Sequence, residues 1–423
     1  MERKNILIIG AGGVGSATAR KCAQYNDAFG DIVIASRRLA TATAAADLAR
    51  PYRQNKAHHI TAAALDAKDA AAVAALIKKT AAAAVLNTAS PHTNMGIMEG
   101  CLWGGAHYLD TAVYEKENTD TAPPPPWYEE HEWKKRTDFA KRGITGVLSI
   151  GFDPGAVNVF CAYAAQELFD SIDSIDIMDI NAGQHGHFFA TNFDPETNLR
   201  EIREDVIYWH DGWQREPCHS KSLCYHFPVG GEQRVFSMGH EELHSLPQHI
   251  KARRIEFWMG FSERYLRIFG VLHKLGLLAA APLEVEGTLV SPIKLIKAAL
   301  PVPQSLAPHY TGSICIGCLV RGHQNGKPRA IFIYSPLSHE AARADIGAQA
   351  ISYSTAVPLT TAALLVLGGE WQTGQLMNAE EFAPAPFLAL MPKLGMSWEI
   401  KEEDPHLNLL ITQHDNNNPP VEI

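Results

Sequence analysis

The stretch Lys4 to Arg20, KNILIIGAGGVGSATAR, constrains this chain more than any other. The apolar run Ile6-Leu7-Ile8-Ile9 reads as a buried strand and leads directly into Gly10-x-Gly12-x-x-Gly15, then into a helix-like Ser16 to Arg20. In that order the glycines have separate tasks. The first permits a tight turn, the second lets a pyrophosphate approach the backbone, and the third lets helix and strand pack closely. The helix N-terminal amides then face the phosphate charge, so Gly10, Gly12, Gly13, Val14 and Gly15 are candidate cofactor contacts. A Gly-rich loop that binds nothing is the bland alternative, and the flanking strand and helix argue against it.

The second strand, Asp31 to Ala35, ends in Ser36-Arg37-Arg38, where an NAD-selective site would place an acid on the ribose hydroxyls. A hydroxyl and two guanidiniums suit a 2′-phosphate, because Arg offers a planar fork of donors to a dianion. The expected cofactor is therefore NADPH (NADP+) in preference to NAD(H). Taken singly, either arginine would serve equally well as a solvated charge opening the next helix.

Strands and alanine-rich helices go on alternating. Helix Leu39 to Ala49, a strand ending at Asp66, helix Ala67 to Thr80, strand Ala83 to Asn87 and a helix around Gly96 to Trp103 are followed by strand His107 to Thr111. A proline run, Pro123 to Pro126, reads as an exposed extended segment, then come helix Trp127 to Arg142 and strand Ile144 to Ile150. This is the pattern of a doubly wound parallel sheet. Ligands bind outside the carboxyl ends of such strands, which adds Asp66 near the adenine edge and the loop Asn87, Thr88, Ala89, Ser90 and Pro91. A capped strand-to-helix turn would use the same loop residues. Asp153, in Gly151-Phe-Asp-Pro-Gly155, ends the sixth strand beside the helix Ala156 to Leu168, as a helix cap or as a ligand contact.

From Ser171 the character changes. Ile172 to Ile180 alternates like a half-buried strand, and hairpin turns are expected at His210-Asp211-Gly212, Gly230-Gly231 and Gln324-Asn325-Gly326, with a helix over Phe261 to Leu278. The fold class is thus α/β, a Rossmann doubly wound parallel sheet plus an inserted α+β domain with a largely antiparallel sheet. The expected divisions are 1–170 for the dinucleotide domain, completed by about 338–400, then 171–337 for substrate binding or dimerisation, and 401–423 as a strand and loose tail. Glu340 to Leu367 reads as helical, broken by Pro358.

A formal net charge of −9 argues against a nucleic-acid surface. The first strand begins so early that no secretory signal precedes it, no run reaches the roughly 18–20 apolar residues of a membrane span, and seven scattered cysteines suit a reducing compartment. A cytoplasmic homodimer without membrane or nucleic-acid partners is expected. His240-Glu-Glu-Leu-His244 fits the H-E-x-x-H zinc pattern, but Gly239 and Pro247 leave barely two turns, so it reads as a solvated acidic turn and no metal is assigned. Cys315 and Cys318 lie three apart on a strand, so their sulfurs should diverge as small core groups, and His185 and His187 read as loop residues.

The blocks IGAGGVG (9 to 15), ASRR (35 to 38), HYLDTAVYE (107 to 115), GFDPGAVNVFCAYA (151 to 164), FATNFDPETNLREI (189 to 202) and GAQAISYSTAVP (347 to 358) resemble the saccharopine dehydrogenase-like family. Within it they are similar to the carboxynorspermidine (carboxyspermidine) dehydrogenases of bacterial polyamine synthesis. Ala156 and Ala356 depart from the Gly or Thr that family members carry. The resemblance implies NADPH-dependent reduction of a Schiff base between L-aspartate β-semialdehyde and a diamine, 1,3-diaminopropane or putrescine. It also points to Asp110, Asp153 and Tyr114 at the nicotinamide end, and to Asn158, Asn192 and Arg200 as substrate contacts with Arg200 on the carboxylate. Asn192 and Arg200 could instead only cap and decorate the DPETNLREI helix. A saccharopine reductase-type imine reductase, or a catalytically silent NADP(H)-binding sensor, would use the same scaffold.

Overall fold

The computed structural model describes residues 4–116, 125 and 131–414. Along the chain, β1 (Lys4–Ile9), α1 (Gly13–Gln24), β2 (Phe29–Ser36), α2 (Leu39–Ala49), β3 (Ile60–Ala64), α3 (Ala70–Thr80), β4 (Ala82–Asn87) and α4 (Asn94–Gly104) come first. Then follow β5 (His107–Asp110), α5 (Arg136–Arg142), β6 (Gly146–Leu148) and α6 (Ala156–Tyr163). The strands form one parallel sheet ordered β3-β2-β1-β4-β5-β6, and Leu376–Asn378 adds a seventh strand beyond β6. The order reverses between β1 and β4, which opens a crevice at their carboxyl ends. β1 is apolar throughout because both of its faces are covered: Ile6 and Ile8 enter one core, Leu7 and Ile9 another.

The expected elements of this half are present, with shifted ends. α3 starts at Ala70, not Ala67, because the Asp69 side chain accepts from the Ala72 amide and so sets the first turn. The proline run Pro123 to Pro126 and the start of the helix expected from Trp127 fall almost wholly outside the described residues, as does the tail from Asp415.

The second sheet has ten strands and is largely antiparallel. Its centre is β7 (Ser171–Asn181), which pairs antiparallel with Ser313–Gln324 and parallel with Ala252–Gly260. All three expected hairpins form, joining Val206–His210 to Trp213–Glu216, Lys221–Phe227 to Gly231–Met238, and Ser313–Gln324 to Lys327–Ser338. Glu399–Glu403 and Ile411–Gln413 add to this sheet too, pairing with Lys327–Ser338 and Lys221–Phe227. One face of β7, with Ile175 and Ile177, shares a core with the nucleotide sheet, while Met178 and Ile180 enter a separate cluster. Cys318 and Cys315 divide between those two clusters, so their sulfurs diverge as strand geometry requires.

Two expectations fail in the returning segment. The helical run breaks at Gly347, which has φ of 66° and ends the helix His339–Ile346, whereas Pro358 lies inside the unbroken helix Ala350–Gly368. Tertiary packing decides this, because the second helix is buried along most of its length against α1 and the core. That helix also has 19 residues and no charged side chain, so a membrane-length apolar run does exist. In the structure it is a mostly buried core helix, and its serines and threonines return hydrogen bonds to the preceding turn, as Thr360 does to Ala356.

Candidate active site

The glycine turn is built as the sequence implies. Gly10 has φ of 108°, and a side chain there would strike the Thr88 carbonyl within 2.5 Å. A side chain at Gly15 would lie 2.0 Å from the Gly10 carbonyl oxygen, which explains the close approach of α1 to β1. Around Gly12, by contrast, there is nothing within 4 Å, leaving space on the side where a pyrophosphate would lie. Thr88 fastens the β4 loop to this turn, donating from its hydroxyl to Ile9 and Gly10. Gly13 and Val14 open α1, and Ala89, Ser90 and Pro91 continue the β4 loop. Ser36 closes β2, and Arg37 and Arg38 stand exposed just beyond it. Arg37 and the exposed Asp66 line one shallow depression with Leu65 and Lys79. Empty space at Gly12 and two free guanidiniums at the end of β2 fit a dinucleotide with a 2′-phosphate.

Asn87 sits deeper. It donates to Asn94 at 2.8 Å and to the Tyr108 hydroxyl, which in turn donates to Asp110 at 2.8 Å. The other Asp110 oxygen accepts from the Ser149 amide. Burial pushes the Asp110 carboxyl up to about 8 although both hydrogen bonds pull it down. Asp110 is thus a buried strut between the ends of β5 and β6. Tyr114 donates its amide to Glu132 and sets its ring edge-on to His131 at 4.5 Å.

Past those strand ends, a group of acids from both halves of the chain gathers. Asp153 lies in the turn after β6, which contains the cis Asp153–Pro154 bond, and its carboxyl is hydrogen-bonded to Asp179 of β7. Burial, then the Asp179 and Glu242 charges, drive Asp153 well above the carboxylate range, and burial raises Asp179 as well, so the pair keeps a proton between them. Glu115, Glu201 and Glu241 bring carboxylate oxygens within 4.8 Å of one another. Glu241 also accepts from the Val113 amide at 2.8 Å, which locks the loop after β5 to this group. Burial raises Glu201 to about 8 despite the His240 charge, and raises Glu241 further with help from the Glu115 and Glu201 charges. Three carboxylates this close favour a cation among them.

Arg200 lies among these acids. It lies on α7 (Pro195–Glu201), pairs with Glu115 and reaches Glu204 at 3.7 Å. The α7 cap is Asp194, not Asn192. Asn192 accepts from the Tyr310 hydroxyl at 2.6 Å, and its carbonyl accepts from Gln349, near the Ser352 that faces Gly13. Asn158 is engaged within its own helix end: its side chain accepts from the Gly155 amide and donates to Glu380.

The structure thus brings Asp153 and Arg200 to one largely buried group of acids, with Asn192 at the border of the two halves, and ties Asn158 and Asp110 to buried partners. Asp179, Glu115, Glu201, Glu241 and Glu242 were not singled out for the site from the sequence. The motif His240 to His244 drew notice for another chemistry, and its reading as a solvated turn is overturned. Glu242 and Leu243 have no exposed surface, and His240 stacks on Phe257 at 4.0 Å. Strand Ala252–Gly260 and the acids of β7 bury a segment that looks polar in isolation.

Comparisons with known proteins agree with the two-part fold. Residues 6–147 match the saccharopine dehydrogenase NADP binding domain, and residues 151–396 the saccharopine dehydrogenase C-terminal domain. A carboxynorspermidine synthase of Vibrio alginolyticus is 46% identical over 404 residues, 95% of this chain and 97% of that protein. A carboxyaminopropylagmatine dehydrogenase of Synechocystis is 38% identical over 398 residues, 93% of this chain and 96% of that one. Among solved structures, apo saccharopine dehydrogenase (L-Glu forming) from Saccharomyces cerevisiae covers 95% of this chain and 100% of its own at a TM-score of 0.68 and 14% identity, a likeness of fold.

Proposed function

The chain belongs to the saccharopine dehydrogenase family and is an NADP-dependent oxidoreductase of polyamine biosynthesis, and from that premise we propose that it joins L-aspartate β-semialdehyde to a diamine by reductive condensation. The product is carboxynorspermidine from 1,3-diaminopropane or carboxyspermidine from putrescine. The observation that carries this reading is the surplus of carboxyl groups, whose ionised forms a bound dication would favour, over cations in this group: Asp153, Asp179, Glu115, Glu201, Glu241 and Glu242 against Arg200 and His240. Such a surplus suits a substrate that is a dication in water. It would disfavour a dicarboxylic amino acid such as glutamate as the amine partner.

The chemistry then divides among the chain's own residues. The amine nitrogen attacks the aldehyde carbon to give a carbinolamine, whose hydroxyl must leave as water. Asp153, holding the proton of the Asp153–Asp179 pair, protonates that hydroxyl, and the resulting carboxylate faces the cationic iminium. Glu201 and Glu241 hold the distal ammonium. Arg200 holds the α-carboxylate while it remains tied to Glu115. NADPH, when bound along Gly10 to Gly15 with its 2′-phosphate at Arg37 and Arg38, supplies the hydride that reduces the iminium carbon.

The test is NADPH oxidation with the semialdehyde held constant while the amine is varied among 1,3-diaminopropane, putrescine and agmatine, the last because of the Synechocystis relative. Oxidation that requires both partners is expected, and the amine with the highest kcat/KM names the product. Tight NADPH binding with no amine-dependent oxidation would refute the reading.

A further inference from the structure

We propose that His240 is a positioning residue of the proton-transfer apparatus: a cation clamped between Glu242 and Phe257 that governs how firmly Asp153 and Asp179 hold their shared proton. The inference rests on the reductive-condensation reading for its catalytic meaning, but its structural content stands apart from it. The His240 ring stacks on Phe257 with an interplanar angle of 7°, and its Nδ1 meets Glu242 Oε2 at 2.5 Å. Glu242 is fully buried, so this carboxylate fixes the orientation of the ring and holds a proton on its Nδ1. The strand register then places the ring. Ile177 pairs with Phe257 and Asp179 with Met259, so Asp179 and Phe257 project from the same face of the sheet and the stacked imidazole lies over that face.

The surrounding charges act in consistent directions. Burial by itself would lower the His240 pKa, but the charge and hydrogen bond of Glu242, with the charges of Glu201 and Asp179, outweigh it and raise it. His244 stands near and is kept neutral by burial. Asp179 faces Asp153, Glu242 and His240; burial raises its pKa, and the His240 charge is the leading influence that lowers it. Asp153 faces Asp179 and Glu242. His240 thus makes the shared proton easier to give up in a group of acids that would otherwise retain it. No metal is needed for this role, and the H-E-x-x-H spacing is used differently: His240 and Glu242 touch each other across one intervening residue.

The test needs no substrate. In infrared difference spectra, the carbonyl band of protonated carboxyl groups that disappears in Asp153→Asn reports the pair. In His240→Gln its pH midpoint is expected to rise by about one pH unit, and His240→Lys, which restores a cation, to bring it back. An unchanged midpoint in His240→Gln would overturn the proposal. Should the variants not fold, histidine ¹⁵N NMR of the unaltered protein decides: the ring identified by its contact with Phe257 is expected to carry protons on both nitrogens at pH 7, and a neutral ring there refutes the role. With substrates, the pH limb of kcat moves upward in His240→Gln while the NADPH Kd stays the same. If the unaltered enzyme shows no amine-dependent turnover, the reductive-condensation reading fails, and the infrared result still judges His240.

Discussion

Asp110 ends β5 and Asp153 follows β6, and burial raises both carboxyls, yet their partners assign them different work. Asp110 is closed off by the Tyr108 hydroxyl and the Ser149 amide, whereas Asp153 shares its proton with another acid of the group. Asn imitates a neutral carboxyl in shape but has no proton to transfer. Asp153→Asn is therefore expected to reduce kcat by about 10²- to 10⁴-fold, the usual span for a lost general acid, while Asp110→Asn stays near wild type. Asp110→Ala strips buried partners of their acceptor and is expected to cost about 1–3 kcal/mol in denaturant unfolding. A kcat loss in Asp110→Asn as large as in Asp153→Asn would place both acids in the chemistry. At the other end of the proposed cofactor site, the Arg37→Ala/Arg38→Ala double variant is expected to weaken NADPH at least tenfold and leave NADH unchanged, read by nucleotide fluorescence, because the proposed role of the exposed pair of guanidiniums is to hold the 2′-phosphate, which NADH lacks. Residue types and spacing point to Arg37, Arg38 and Asp153 as candidates. Nothing local could distinguish a strut from a donor, since Tyr108, Ser149 and Asp179 reach these acids through the fold.

Elements whose pattern is local were the most legible. β1, the glycine turn and α1 are set by neighbours in sequence, and the hairpins by their own turn residues, so these formed as expected. In the helix Ala350–Gly368 packing outweighs propensity: a proline breaks an isolated helix, but here the element is buried on nearly every side. The glycine turn also separates folding from binding within one motif. Gly15 approaches the Gly10 carbonyl, so Gly15→Ala is expected to lower the thermal midpoint by several degrees and to abolish NADPH binding together with it. Gly12 has open space around it, so Gly12→Ala is expected to melt like wild type and still bind NADPH at least tenfold more weakly, its methyl group meeting only the pyrophosphate. Calorimetry and nucleotide titration on the two variants check this; a Gly12→Ala protein that binds normally would move the phosphate site off the turn.

At the scale of the whole molecule, what the sequence concealed was burial. His240 to His244 reads as polar surface until Phe257 and β7 cover it, and the acids that meet there come from positions as far apart as Glu115 and Glu241. That burial leaves a signature in stability. Asp110 and Glu201 are raised to about 8, and Glu132 and Glu380 to about 7, by desolvation. Above the unfolded carboxylate range near ~4, the folded state keeps protons that the unfolded state has lost, so stability falls as pH rises through the folded values. His219 and His339 are lowered to about 4, and His244 to about 3, also by burial, with neighbouring charges adding less. Below the unfolded histidine value near ~6.5 the unfolded state takes up protons that these rings refuse, so their contribution falls toward acid. Between about pH 4 and 6.5 the two contributions oppose each other, the four carboxyls outweigh the three rings, and above that range only the carboxyl loss remains, so the thermal midpoint is expected to fall from pH 5 to 9. A dication bound among Asp153, Glu201 and Glu241 favours their ionised forms, so saturating diamine is expected to flatten this fall and leave the histidine contribution in place, whereas NADPH alone raises the curve without changing its shape. A midpoint that climbs steadily from pH 5 to 8 would mean that these acids are ionised in the free protein, and the group would then carry its negative charge before any substrate arrives.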